Sequence, residues 1–347
     1  MRALVKSGAG PGMELRDVPT PGCGPTDALV RVHAAGVCGT DLHIWEWDSW
    51  ASGRLRPPVT IGHEFAGEIV ALGEEAAAEE LLAVGDQVTA EGHIVCGHCL
   101  QCRTGVSHLC TRTRIIGVDR DGAFAEFIAM PASNVIKLDG IPLEIGAIMD
   151  PIGNAVHTVL EGGDLAGSRV FVLGCGPIGC FACGVAKAAG ASMVVASDLN
   201  DVRLGLARAM GADVTLNPSR DDVLARIRQL TGGEGVDLVC EMSGHPAGHS
   251  QAFAAARSGG RVNLLGTPNQ PTPVDFAREV IFKGLTLYGV TGRKMYSTWQ
   301  QMVRLIRSGQ LNPRPVITHR FPLELISDAI SVIKEGKAGK VILEIGA

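Results

Sequence analysis

Gly174-Cys-Gly-Pro-Ile-Gly179 constrains the fold of this chain more than any other stretch. It follows the apolar run 170–173 and opens a segment that stays uncharged to residue 186. Three glycines at this spacing allow a tight strand-to-helix turn, a close backbone approach to a pyrophosphate, and close helix–strand packing. Pro177 suits the first helical turn, where its missing N–H costs nothing. A lone G-x-G-x-x-G is weak. Here Asp198 follows 19 residues after Gly179, at the end of the next apolar run, where a carboxylate can hold a ribose 2′-hydroxyl. That carboxylate repels a 2′-phosphate, so NAD is favoured over NADP. Arg203 is the counterweight, since an arginine there could host the phosphate.

The surrounding rhythm agrees. From about 169 to 291, apolar runs (170–173, 193–197, 236–240, 261–265) alternate with helical segments, the punctuation of a parallel sheet. Residues 1 to about 150 read instead as short strands and turns: 28–33 and 65–71 partly alternate, as half-buried strands do. Residues 85–88 form a turn into another strand, and the acidic 74–80 is a solvated loop or a short surface helix. Asp150-Pro151 predicts a helix start, with Asp as N-cap and Pro at the first position. After Lys294 come a helix, a turn at 312–315, and a last helix leading to the strand 340–344. That tail rejoins the first domain, because a parallel-sheet domain is complete without it. The expected division is 1–150, with a metal lobe at 92–112, then 151–292, then 293–347 returning to the first part.

A length of 347 residues fits about two domains. Forty-five glycines against 4% aromatics suit an α/β protein with many tight turns. The net charge of −5 and the lack of a basic tract exclude a nucleic-acid footprint. The uncharged stretch 170–186 is broken by glycines and a proline, so no membrane span is expected. Residues 1–6 are charged and too short for a signal-peptide core.

Four of the ten cysteines fall within 15 residues as Cys96-x2-Cys99-x2-Cys102-x7-Cys110. Four thiolates can close tetrahedrally on Zn²⁺ and leave no position open, which predicts a structural metal. Buried thiols or disulfides are the alternative. With no export signal, a disulfide framework is not expected and a cytoplasmic setting is. Cys180-Phe-Ala-Cys183 has redox spacing but lies in the helix after the glycine turn, where packing explains it.

Cys38-Gly-Thr-Asp-Leu-His43 supplies a soft metal ligand, a hydroxyl and an imidazole. A metal-bound alcohol needs that set: the metal acidifies the hydroxyl, Thr40 takes its proton, and His43 passes it to water. Gly62-His63-Glu64 adds an imidazole and a carboxylate. Neighbours on a regular strand face opposite ways, so joint ligation requires a turn, which Gly62 permits. Cys38, His63 and Glu64 make an N/S/O set of the catalytic zinc type. Asp150 could reach the same metal or its proton network, or serve only as an N-cap. His93 is a candidate pocket residue, with a plain structural histidine as the alternative.

With these residues in view, the chain resembles the zinc-containing medium-chain dehydrogenase/reductase superfamily over essentially its whole length. Gly117-Val-Asp-Arg-Asp-Gly122, Asp150-Pro-Ile-Gly-Asn-Ala-Val-His-Thr158, Gly292-Arg-Lys-Met-Tyr-Ser-Thr-Trp299 and Ile317-Thr-His-Arg-Phe321 continue the match. The resemblance implies an α/β fold, with a split GroES-like, β-rich catalytic domain and a doubly wound (Rossmann) NAD domain. It implies two zinc ions per chain: a catalytic one on Cys38, His63 and Glu64, and a structural one on Cys96, Cys99, Cys102 and Cys110. It implies a Thr40–His43 relay assisted by Asp150. Cofactor contacts are expected from Gly174, Gly176, Ile178, Gly179, Asp198, Arg203, Leu265, Gly266, Thr267, Val290 and Thr291. Cys175 departs from the more usual Ala, and Thr267 and Thr291 stand where larger side chains are common. The narrower runs, 44–50 and 153–158, are most similar to members that oxidise the 3-hydroxyl of L-threonine with NAD⁺. They lie beside the metal ligands and are placed to shape a substrate pocket. A polyol or vicinal-diol dehydrogenase is the runner-up, and a non-catalytic NAD- and zinc-binding scaffold is the alternative of another class. A cytoplasmic homotetramer is the assembly the resemblance implies.

Overall fold

The computed structural model describes residues 1–268 and 270–346. The chain divides into two compact units, Met1–Asp150 with Ile317–Ala347, and Pro151–Val316. Among the described residues no helix is long and apolar enough to cross a membrane.

The first unit is built on strands. Its larger sheet runs Val135–Lys137, Gln87–Ala90, Phe65–Leu72, Asp27–Val37, Lys340–Glu344, Ile317–Pro322, and Phe127–Pro131 also pairs with Asp27–Val37. Lys340–Glu344 joins antiparallel to Asp27–Val37, with Val341 opposite Val37 and Leu343 opposite Ala35. The tail therefore completes the sheet of the first unit, and its buried Val341, Ile342 and Leu343 help fill that core. The acidic run holds a short helix, Glu74–Ala78, with its glutamates exposed. His93–Ile94 pairs with Arg114–Ile115 and closes the base of the cysteine loop.

The second unit is a six-stranded parallel sheet in the order Val214–Leu216, Met193–Ser197, Arg169–Leu173, Val236–Glu241, Ala256–Leu264, Thr286–Gly289. The order reverses beside Arg169–Leu173, which makes a doubly wound sheet with its switch point between that strand and Val236–Glu241. Val170, Phe171 and Val172 are fully buried, as expected for a strand covered on both faces. Gly174 takes φ +95°, and a Cβ at Gly179 would lie 1.9 Å from the Gly174 carbonyl. The glycines are thus required by the turn itself. The helix Pro177–Ala188 follows, with Pro177 in its first turn and Cys180 and Cys183 buried in it.

Two expectations need correction. Residues 293–316 belong to the second unit, and the return begins at Ile317 rather than Arg293. Arg293 is buried, lies over the Trp299 ring and donates to Asn154. A Cβ at Gly184 would meet Leu311 at 2.8 Å. These contacts fix the segment to its own unit. Asp150 is also no N-cap: the helix Met149–Leu160 already includes it. Its carboxylate is instead grouped with side chains of the first unit.

Candidate active site

The sulfurs of Cys96, Cys99, Cys102 and Cys110 all lie within 4.8 Å of one another. Three of the edges measure 3.5, 3.8 and 3.6 Å. A tetrahedral Zn²⁺ with Zn–S of about 2.3 Å requires edges of about 3.8 Å, so the lobe fits zinc. Backbone N–H groups of Cys96 and Arg112 point at the Cys110 sulfur. The backbone N–H of His98 and the neighbouring donors lower the Cys96 thiol to about 6, which favours the thiolate a metal needs.

The second group joins distant segments. Cys38 caps the helix Gly39–Glu46, and its backbone N–H donates to Asp41 at 2.8 Å. His63 and Glu64 follow Gly62, whose φ of +95° supplies the turn their joint use requires. Ligand atoms of Cys38, His63 and Glu64 lie within 4.8 Å of one another. Burial opposes an imidazolium at His63, yet Asp41 and Cys38 outweigh it and hold this group raised to about 10. His63 Nδ1 and Asp41 Oδ1 are 3.7 Å apart, and among the described residues neither has a hydrogen-bond partner. Buried thiol, imidazole and carboxylate donors, gathered beside polar atoms that lack partners, suit zinc.

The sequence missed two neighbours of this group. Asp41 is fully buried and is signalled only by its place three residues after Cys38, the spacing of a capping box. Lys340 is buried beside Glu64, with Nζ 2.7 Å from the carboxylate and donating also to the Val37 carbonyl. A Cβ at Gly36 would meet Glu64 Oε2 at 2.3 Å, so that carboxylate is held close against backbone.

Thr40 is half-buried and His43 exposed, three residues apart on the helix Gly39–Glu46 and hence on one face of it. His43 Nδ1 is 2.6 Å from Asp48 Oδ2. Asp150 groups with Glu91 and His93, not with Cys38. Glu91 is fully buried and accepts from the His93 backbone at 2.9 Å, and it lies 2.8 Å from His93 Nδ1. Asp150 is still near enough to raise both Asp41 and Glu64, whose chief cause of elevation is burial.

The two narrow runs do other work as well. Ile44 is fully buried in the core of the first unit, and Trp45 and Trp47 pack against that core. Trp50 is the exposed tryptophan of the run, its ring tilted 6.0 Å from His43. In the second unit Gly153, Asn154 and His157 grip 292–293. A Cβ at Gly153 would strike Arg293, and His157 Nδ1 donates to the Gly292 carbonyl at 2.9 Å. These runs are tied to local packing.

In the second unit a crevice of about 460 Å³ opens at the strand ends, lined by Gly174, Ser197, Asp198, Asn200, Arg203 and Ser243 among others. Asp198 accepts from the Cys175 N–H at 2.7 Å and the Asn200 N–H at 2.8 Å, with Arg203 4.0 Å away. Nothing lies within 4 Å of where a Cβ would stand on Gly176. Leu265, Gly266 and Thr267 follow one strand, and Val290 and Thr291 follow the next. Open glycine backbone, a helix N-terminus and a carboxylate on the second strand fit a dinucleotide.

Comparison with known proteins agrees with both halves. Residues 24–140 match the alcohol dehydrogenase GroES-like domain and residues 177–308 the zinc-binding dehydrogenase family. The chain belongs to the zinc-binding dehydrogenases. It is 51% identical to L-threonine 3-dehydrogenase of Symbiobacterium thermophilum, covering 99% of this chain and 97% of that one. It is 49% identical to L-threonine 3-dehydrogenase of Bacillus subtilis, covering 99% and 98%. A structure from Sinorhizobium meliloti, described as a zinc-binding dehydrogenase bound to NADP, superposes with TM-score 0.90 at 31% identity, covering 99% and 98%. As a member of this family the chain uses zinc and NAD(P), for which its donor groups and crevice are suited.

Proposed function

We propose that the protein oxidises the 3-hydroxyl of L-threonine with NAD⁺, giving L-2-amino-3-oxobutanoate and NADH. One observation carries the chemistry: Cys38, His63 and Glu64 present S, N and O donors together, and the helix that begins at Cys38 also bears Thr40 and His43. Threonine as the substrate is supported by the full-length likeness to L-threonine 3-dehydrogenases.

Cys38, His63 and Glu64 hold the catalytic zinc, and Cys96, Cys99, Cys102 and Cys110 a structural one. When bound, zinc lowers the pKa of an alcohol hydroxyl and NAD⁺ accepts a hydride. The Thr40 hydroxyl accepts the proton that the substrate hydroxyl gives up. His43 donates its Nδ1–H to Asp48, which leaves Nε2 to take the proton from Thr40, and the exposed ring releases it to water. Asp150 assists this transfer by its charge. Asp198 favours NAD⁺ through the adenosine ribose, while Gly174, Gly176, Ile178, Gly179, Arg203, Leu265, Gly266, Thr267, Val290 and Thr291 shape the remaining contacts. The assembly is a cytoplasmic homotetramer. Fractionation tests the compartment, and light scattering tests the tetramer.

The test is product formation by the zinc-replete protein from L-threonine with NAD⁺ and NADP⁺ in parallel. One NADH per 2-amino-3-oxobutanoate, formed faster than NADPH, is expected. No NADH from threonine overturns the reading, and equal kcat/KM with both cofactors would pass control of the ribose pocket to Arg203.

A further inference from the structure

We infer that Glu241 is the positioning residue of the cofactor crevice, holding in place the two loops that follow Val236–Glu241 and Ala256–Leu264. This rests on the proposed NAD site but assigns a residue outside the glycine fingerprint.

Glu241 is the last residue of its strand, at the switch point of the sheet, and it is fully buried. Such an acid needs partners, and every partner found lies in a loop or helix at the crevice. Oε1 accepts from the Ser243 N–H at 2.9 Å, from the Ser243 hydroxyl, and from the Gly244 N–H at 3.1 Å. Ser243 Oγ in turn accepts from the His245 N–H at 3.1 Å, which starts the helix Pro246–Ala255. Oε2 lies 3.9 Å from His249 Nε2 on that helix. The Glu241 carbonyl accepts from the Leu265 and Gly266 N–H groups at 3.0 and 3.1 Å. One residue thus binds the loop after its own strand by side chain and the next loop by backbone.

The packing leaves no slack around it. A Cβ on Gly266 would stand 2.6 Å from Glu241 Oε2 and 2.1 Å from the Gly244 nitrogen. One on Gly248 would stand 2.6 Å from Ser243 Oγ, and one on Gly174 would stand 2.8 Å from the Ser243 nitrogen. Gly244 meets Thr267 in the same way at 2.7 Å. Three loops therefore close on Glu241 and Ser243, and among them are Gly174, Gly266 and Thr267, the positions expected to face the cofactor. An apolar side chain at 241 would orphan the Ser243 and Gly244 donors, which would then turn the loop to find acceptors.

The experiment is titration of the full-length, zinc-loaded protein with NADH, read by the emission of bound nicotinamide, together with zinc content, melting temperature and the split between KM for NAD⁺ and kcat. Glu241→Ala should raise the NADH Kd by at least about fivefold, the scale of one or two orphaned donors, with zinc content unchanged. KM for NAD⁺ should rise by the same factor while kcat at saturation changes less. Glu241→Gln keeps an acceptor oxygen and should stay within about twofold of the unmodified chain. Glu241→Asp keeps the charge but ends one methylene short, so it should bind NADH at least about fivefold more weakly; it also serves should the alanine variant fail to fold. Unchanged NADH affinity in folded Glu241→Asp or Glu241→Ala, with only the melting temperature lowered, would reduce Glu241 to a structural acid and overturn the proposal. Failure of the unmodified chain to bind NADH would instead overturn the cofactor site.

Discussion

Lys340 Nζ lies 2.7 Å from the Glu64 carboxylate, across 276 positions of sequence, and both side chains are almost wholly out of solvent. Burial pushes the Glu64 carboxyl up, and Lys340 is the largest influence holding it down. Burial pushes the Lys340 amine down, but Glu64, Cys38 and Asp41 together outweigh this and raise it. Removing one partner leaves the other's charge stranded, at a cost of roughly 3–5 kcal/mol. In the zinc-free protein, where no metal charge compensates Glu64, Lys340→Met should therefore lower unfolding free energy by that amount in urea titrations. Adding Glu64→Gln should recover a large part of it. Additive losses in the double variant would show that the pair is not coupled.

The two metal groups should behave differently. Cys38→Ser should leave a folded chain with one zinc and no turnover, because three protein donors would leave the fourth zinc position to a substrate oxygen. Cys99→Ser opens a closed tetrahedron and should chiefly lower melting temperature or solubility. Elemental analysis beside activity checks both. Fully active protein with a single metal per chain would contradict the division.

The legible parts of this molecule were those with short-range signatures. Cysteine spacing marked the metal lobe, and glycine placement marked the turn at 174–179. Gly62, read as a turn-former, takes positive φ and puts His63 and Glu64 where Cys38 can join them. What was not legible depends on long-range burial. Lys340 opens a strand, and nothing near it in sequence tells that Glu64 lies against it. Glu91 and Glu241 likewise sit at strand ends among apolar neighbours, and only the fold shows their donors. The sequence also does not tell that the glycine and histidine of the run 153–158 pack on 292–293, because that contact spans some 135 positions.

For the relay, positioned acid–base groups contribute about 10²–10⁴-fold. Thr40→Ala should reduce kcat by that order, and more than a nearby packing change. His43→Ala should cost less, because water partly substitutes, and should flatten the pH–rate profile. Full kcat for Thr40→Ala near neutral pH would remove Thr40 from the pathway.

Acid stability should report on Asp237. Burial raises its pKa, but the Arg169 N–H at 2.8 Å and the Arg257 guanidinium at 2.6 Å outweigh this and hold it below the usual carboxylate value. A group depressed in the folded state binds protons more readily when unfolded. Its contribution is therefore complete above the ordinary carboxylate pKa of about 3.9 and is lost as pH falls through the folded value. Asp237→Asn should lower the urea midpoint at pH 6 and shrink the difference between pH 6 and pH 3. An identical acid slope in the variant would assign the loss to other carboxylates.

In the proposed reaction the zinc donors and Thr40 would serve any secondary alcohol, so the central claim rests on selection of a zwitterion, for which unpaired polar partners penalise neutral analogues. The direct measurement is kcat/KM of the zinc-replete enzyme with NAD⁺ for L-threonine against 2,3-butanediol and sorbitol. The account predicts an advantage for threonine of at least about tenfold, equivalent to ~1.4 kcal/mol of transition-state discrimination. Comparable values for either diol or polyol would contradict it and make the protein a dehydrogenase of neutral polyols.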